Sequence, residues 1–276
     1  MKILHVSDLH ANLNWFDWLE RSAASHGLVA LSGDLLDAGR PDDMADQRRE
    51  VSAIIRRIST KLVVCSGNHD MVPSEVEDPS ALWVRDLRRP GVWSDGDRFE
   101  LGGRRFYSHP WVLPLPAALA GDIWILHSPP EGTDTSQVEG RDFDHGDFEF
   151  SELCKSGWGP AIALCGHIHH PISWHARVGR TLVLNPGESP DPRIPAHIVI
   201  DLEQRIATRH MSGRAPETIR LPESSIAQQV LKRRTPDEIE SLLALTVSNQ
   251  RAEGIDMPPE EIEETRLRLM RRFHDQ

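Results

Sequence analysis

Cysteine is scarce in this chain. Cys65, Cys154 and Cys165 are its three thiols in 276 residues. An odd, sparse set does not make a disulfide scaffold and fits a reducing compartment. The spacing does not match a thiolate zinc site. Cys65 and Cys165 end apolar runs, where a thiol serves as a small buried side chain. Positive charge is in deficit: 31 Lys and Arg face 42 Asp and Glu, a formal net charge of −11. Non-specific nucleic-acid binding needs a basic face and is therefore disfavoured. Phosphate substrates stay open, because metal ions held at a site bring their own positive charge. No apolar run approaches the ~20 residues of a membrane span. Met1-Lys2-Ile3-Leu4-His5-Val6 leads at once into a strand and a motif. That leaves no room for a signal peptide, so the expected location is cytoplasmic. The sequence shows neither internal repeats nor low-complexity tracts.

What is present is a soluble composition, 39% hydrophobic and 26% charged. The length suits one large α/β domain, or one domain plus an appendage. Residues 2–7, 28–32 and 61–65 are short apolar strands, with helical patterns over 13–25 and 42–59 between them. This alternation predicts a mainly parallel sheet with right-handed crossovers. Residues 98–108 predict a hairpin turning at Gly102-Gly103. Residues 122–127 and 161–165 read as further strands. So do 172–176, 181–185, 194–201 and 205–210, which makes the second half richer in antiparallel β. The composition shifts near residue 213. Thr235-Pro236-Asp237-Glu238 and Pro258-Pro259-Glu260-Glu261 carry helix-start signals, the second leading to a basic end at Arg266, Arg268, Arg271 and Arg272. The expected division is a catalytic domain over 1–213 and a helical C-terminal appendage over 214–276. The appendage would serve packing or self-association.

Chemistry gathers just after the apolar strands, where α/β sheets bind ligands. Asp8-x-His10 offers a carboxylate and an imidazole, which in an extended segment point to one side. Asp34 follows a strand and a glycine; its two oxygens suit a bridge between two cations. Gly67-Asn68-His69-Asp70 supplies an amide oxygen from Asn68 and a histidine. His127 ends the run Ile123-Trp124-Ile125-Leu126. Gly166-His167-x-His169 adds two imidazoles on one side, and Gly166 lets backbone come close. Taken alone, each is weak: Gly-Asp and Gly-Asn-His-Asp are ordinary turn sequences. Taken together they make seven ligands, Asp8, His10, Asp34, Asn68, His127, His167 and His169. With Asp34 shared, each of two metals has four protein ligands. Mixed oxygen and nitrogen donors without sulfur favour Mn, Fe, Zn, Co or Ni. Two adjacent metals beside one free histidine suggest hydrolysis of a phosphate ester by a hydroxide held between them. His69 is assigned as that histidine, protonating the leaving oxygen or stabilising phosphoryl charge. Asp37 is the first candidate to hold its other ring nitrogen. Asp70 is the second, more naturally a turn cap or an orienter of a neighbour. His170 would face away or line the pocket.

The ordered set D-x-H, G-D-x-x-D, G-N-H-D, H and G-H-x-H resembles the calcineurin-like metallophosphoesterase superfamily, over residues 3 to about 187. The resemblance implies a four-layer α-β-β-α sandwich of two mixed sheets. It implies a two-metal site with the ligand roles above, His69 as catalytic histidine and Asp37 as its partner. It also implies that Asn185-Pro186-Gly187 shapes the site floor. Asp37 is followed by Ala38-Gly39-Arg40 and His69 by Asp70. In this the sequence is similar to phosphodiesterase-type and small bacterial branches rather than to protein phosphatases.

Substrate is less marked. Tyr107, His109 and Trp111 can stack on a base or form a lid, and the loop 141–147 is acidic. The expected substrate is a small phosphodiester, a cyclic nucleotide or nucleotide-like ester. The alternatives are a broad-specificity phosphomonoesterase and, from another class, a non-catalytic scaffold on the same fold.

Overall fold

The computed structural model describes residues 1–72, 81–111, 115, 122–222, 239–240, 243–244, 247 and 258–273. The helix start expected at Thr235 lies outside the described residues. The chain forms two bodies. One is Met1–Pro114 with Gly121–Ser224; the other is Leu115–Ala120 with Ser225–Gln276.

In the first body, strands β1 (Lys2–Val6), β2 (Leu28–Ser32) and β3 (Leu62–Cys65) pair side by side in parallel. Helices α1 (Leu13–Ala23) and α2 (Met44–Arg57) make the crossovers. Asn12 caps α1 by accepting from the Asn14 amide, as Asn does at such positions. β4 (Val92–Trp93) extends this sheet beside β3. β11 (His197–Asp201), β12 (Ile206–His210) and β13 (Glu217–Arg220) extend it beyond β1, all antiparallel. The second sheet runs β5 (Arg98–Leu101), β6 (Arg104–Ser108), β7 (Ile123–Ile125), β8 (Ile162–Leu164), β10 (Thr181–Leu184), β9 (His175–Val178). Helix α3 (Phe148–Lys155) follows β7 in the chain, capped by the Asp147 carboxylate on the Phe150 amide.

Side-chain alternation explains the layering. Leu4, Val29, Leu31, Leu62 and Val64 pack with Trp15, Phe16 and Leu19 of α1 and Val51, Ile54 and Ile55 of α2. Ile3, Leu28, Ala30, Val63 and Cys65 turn the other way. They meet Phe106, Ile123, Ile125, Ile162, Leu164, Leu182 and Leu184 of the second sheet. On that sheet's far face Trp124 stacks on Phe150 of α3 at 5.9 Å. The result is the α-β-β-α sandwich.

The expected antiparallel enrichment of the second half holds: β5-β6, β9-β10, β1-β11, β11-β12 and β12-β13 are antiparallel, while β6-β7-β8-β10 at the centre of the second sheet is parallel. Two expectations need correction. The strand expected over 172–176 begins at His175, because Ser173 turns back and accepts from the His175 amide. The large body does not end at residue 213: β13 pairs with β12, so this body runs to Ser224. In the second body, α4 (Pro259–Phe273) starts at the expected Pro-Glu-Glu signal. Its Arg266 reaches Glu240 and Glu263 at 2.8 and 2.6 Å. No helix among the described residues is long and apolar enough to cross a membrane.

His5 is fully buried on the inter-sheet face of β1, 2.8 Å from the Ser32 hydroxyl. Burial pushes its imidazolium down to about 3. The unfolded chain takes up a proton near pH 6.5 and the folded one does not. This contribution to stability is therefore present above pH 6.5 and is lost as pH falls toward about 3. From pH 7 to pH 5 the loss is about 2 kcal/mol from this one group. Urea unfolding with chelator present should show His5→Gln losing about that much less than the parent over the same interval. Equal losses would contradict the assignment.

Candidate metal centre

The loops after β1, β2, β3, β7 and β8 meet at one end of the sandwich, and they are zipped together by backbone. The amides of Asp8, His10 and Ala11 donate to the carbonyls of Gly33, Asp34 and Leu35 at 3.2, 3.0 and 2.8 Å. The Gly166 amide donates to the His127 carbonyl at 2.8 Å. Asp8, His10, Asp34 and His167 all have positive φ, at 54°, 43°, 52° and 69°. The expectation that Asp8-x-His10 and His167-x-His169 are extended pairs is thus corrected. Left-handed backbone, not strand alternation, aims these side chains. Each such residue costs on the order of 1–3 kcal/mol and persists only where its surroundings over-determine it. Two glycines make room. A Cβ on Gly67 would strike the Asp34 carboxylate, and one on Gly166 would strike the Ser7 hydroxyl and Asp8 carboxylate.

The side chains so aimed form three overlapping groups. Asp8, His10 and His169 bring ligand atoms within 4.8 Å of one another; so do Asp34, His127 and His167, and so do His10, Asp34 and His69. Asn68 joins the second group, its Oδ1 lying 3.1 Å from His127 Nε2. Asp34 stands between the groups, its Oδ2 3.2 Å from His127 Nε2 and 3.9 Å from His10 Nε2. All seven expected ligands are therefore brought together.

The ring nitrogens are assigned by their partners. His127 Nδ1 donates to the Ser32 carbonyl at 2.7 Å, and His169 Nδ1 faces Glu188 Oε2 at 3.1 Å. Both present Nε2 to the centre, and His169 Nε2 lies 3.0 Å from His10 Nε2. Ligand histidines are commonly held this way, by a carbonyl or carboxylate on the outer nitrogen. Asp8 and Asp34 are 1% and 2% exposed, and among the described residues their ion partners are histidines only. Buried carboxylates and inward Nε2 atoms at these separations fit a pair of divalent cations.

Electrostatics follows the same crowding. Burial opposes charge on His127, but Asp34 and Asp8 override it and raise the ring to about 9. Burial opposes charge on Asp34 too, and His127 overrides it, holding the carboxyl well below its usual range. Burial and the His127 charge push His167 down to about 4. The Glu188 hydrogen bond raises His169.

His69 shares a group with His10 and Asp34, and its ring sits edge-on to His10 at 4.6 Å. Its expected carboxylate partner is corrected. His69 Nδ1 accepts from the Ala38 amide at 3.1 Å. An amide can only donate, so the His69 proton sits on Nε2. Asp37 turns away: its carboxylate accepts from the Gly39 amide at 2.9 Å and from Arg40 Nε at 2.8 Å. An Asp two residues before an amide closes its own turn, and this local bond wins. Asp70 orients its neighbours. Its carboxylate accepts from the amides of Leu35, Leu36 and Gly67 at 2.9, 3.0 and 2.8 Å, tying the β2 and β3 loops.

The Asn185-Pro186-Gly187 turn does underlie the site. Asn185 Nδ2 donates to the carbonyls of Gly166 and Ile168 at 3.0 and 3.1 Å. Glu188, next along, was not singled out in the sequence, because no spacing rule links it to His169. Tyr107 and His109 are buried against each other, with 3.1 Å between Oη and Nδ1, so neither forms a lid. Trp111 does reach the centre, 5.5 Å from His127 and 5.4 Å from His167. His170 is exposed. In the acidic loop, Asp144 accepts from the Gly132 and Gly146 amides, at 2.8 Å each.

Comparison with known proteins bears on the family and the fold. The model of the calcineurin-like phosphoesterase superfamily domain matches residues 1–205. Among solved structures, one chain aligns at 15% identity over 80% of this chain and 99% of its own, with a TM-score of 0.58. The purple acid phosphatase of yellow lupin (Lupinus luteus) seeds aligns at 13% identity over 80% of this chain and 53% of its own, TM-score 0.54. An archaeal phosphodiesterase aligns at 17% identity over 80% of this chain and 100% of its own, TM-score 0.45. The first two of these likenesses show the fold. No curated protein matches significantly.

If Asp34 serves both groups, Asp34→Ala loses both metals together. Metal counting by mass spectrometry after manganese loading should find fewer than one ion per chain. Retention of two tightly held ions would overturn the shared role.

Proposed function

We propose, from the premise that this chain belongs to the calcineurin-like phosphoesterase superfamily, that it hydrolyses a small phosphodiester at the centre just described. The chain is a metal-dependent phosphoester hydrolase. The observation that carries the reading is the place of Asp34 between two donor groups. Asp8, His10, His169 and Asp34 would hold one divalent transition ion, and Asp34, Asn68, His127 and His167 the other. Bound there, the pair would supply Lewis-acid chemistry toward phosphate and water.

The chain's own groups do the rest. Asp70 and the loop-to-loop amides hold Asp34 and Asn68 in place. The Asp34 carboxylate accepts from the His69 amide at 2.8 Å, which fixes that residue beside the centre. His69 presents Nε2–H, with Nδ1 committed to Ala38. It donates a hydrogen bond from Nε2–H to the phosphoryl or leaving oxygen as charge develops there, and keeps the proton, because a ring whose Nδ1 accepts from an amide has no second proton to give.

An organic ester is supported by the ring surface on one side. Trp111 stands edge-on to His127 and tilted against His167, His145 sits 6.4 Å from His167, and Phe143, 67% exposed, meets His145 edge-on at 4.6 Å. Rings placed so can stack on a base or aryl group. The Asp142, Asp144 and Asp147 charges near this side disfavour a polyphosphate.

The test is turnover of bis-nitrophenyl phosphate against nitrophenyl phosphate by manganese-loaded protein. The diester should turn over faster. A monoester preference would replace the reading with a phosphomonoesterase, and no turnover with two metals bound would favour a scaffold. His69→Ala should keep both metals and lose about 10²–10³-fold on a diester with a poor leaving group. A loss under about tenfold there would remove its role as donor.

A further inference from the structure

The two ligand groups differ in what stands behind their histidines. His127 leans on a neutral group, the Ser32 carbonyl. His169 leans on a carboxylate, Glu188 Oε2, 3.1 Å from its Nδ1. A carboxylate accepts and does not donate, so Nδ1 carries the hydrogen and Nε2 keeps its lone pair for the centre. That contact is built from two directions. The Glu188 amide also donates to the His169 carbonyl, at 2.7 Å. Gly187, at φ +70°, lets the chain approach: a Cβ there would stand 3.0 Å from the same carbonyl. Asn185 holds the Gly166 and Ile168 carbonyls on the other side of the histidine. Residues 185–188 thus grip 166–169 by backbone and side chain together.

Charge is uneven too. Beyond the shared Asp34, the first group has Asp8 as a ligand and Glu188 behind it. The second has Asn68, a neutral oxygen, and a backbone carbonyl. We infer that Glu188 is a positioning residue for His169, and that it makes the Asp8/His10/His169 group the tighter of the two metal sites. The carboxylate fixes the ring's tautomer and tilt and increases the donor strength of Nε2. This inference rests on the two-metal reading above and goes beyond it, by giving the two sites unequal affinity and naming the residue responsible.

Titration calorimetry with Mn²⁺ on the metal-free full chain reads both sites directly. The parent protein should bind two ions in two separable phases. Glu188→Gln keeps size and a hydrogen-bond acceptor but loses the charge; it should weaken the tight phase by about 10- to 100-fold and leave the weak phase within about twofold. Glu188→Ala should weaken the tight phase at least as much. Because Glu188 acts through His169, it should add nothing once that ring is gone. Glu188→Gln placed on His169→Ala should match His169→Ala alone. A general structural role would instead weaken both phases, or add its effect in the double variant. Equal weakening of the phases, an unchanged tight phase in Glu188→Gln, or an additive double variant each overturns the inference while leaving the two-metal reading in place. A parent protein that binds no Mn²⁺ overturns both.

Discussion

Two carboxylates, Asp8 and Asp34, lie almost entirely out of water at the end of this sandwich, and the rest of the site is arranged around that constraint. Burying a carboxylate costs several kcal/mol unless donors and counter-charges meet it. Here the His167 amide reaches both oxygens of Asp8 at 3.1 Å, and the His69 amide reaches Asp34 at 2.8 Å. The remaining faces of both groups look at imidazoles. Such a concentration of donors is costly in a metal-free protein and favourable around divalent cations. The same arrangement that would cost stability without metal would therefore favour loading.

The fold serves this end of the molecule. Parallel strands β1, β2 and β3 deliver three loops to one edge; β7 and β8 deliver two more from the facing sheet. A core on each side of the first sheet holds the strands in register. The loops then leave regular structure through left-handed residues that are also the candidate ligands. Strain at the site is balanced by loop-to-loop hydrogen bonds and by the buried Asp70 carboxylate, which takes three amides. Stability of the whole and geometry of the centre are thus carried by the same bonds.

Much of this was legible in the sequence, for physical reasons. Strand alternation and helix period depend on neighbours along the chain, so β1, β2, β3, α1 and α2 stand where patterning puts them. The candidate ligands that the fold brings together could be picked out by their chemistry and by their places after apolar strands. What was not legible depends on contacts across space. Asp37 looks like the partner of His69, yet a bond to its own turn is nearer. Glu188 has no local signature and acquires its place only when 185–188 folds against 166–169. The left-handed turns at Asp8, His10 and His167 are imposed by neighbouring loops, not by these residue types. β13 escaped because its residues, Glu217-Thr218-Ile219-Arg220, carry little hydrophobic pattern on an edge strand.

The central claim, two metals sharing Asp34, is most directly tested by anomalous diffraction at the manganese edge from crystals of the loaded protein. The account predicts two peaks about 3.5–4 Å apart. One should lie against Asp8, His10 and His169, the other against Asn68, His127 and His167, with Asp34 reaching both. A single peak, or two peaks that Asp34 does not join, would contradict it.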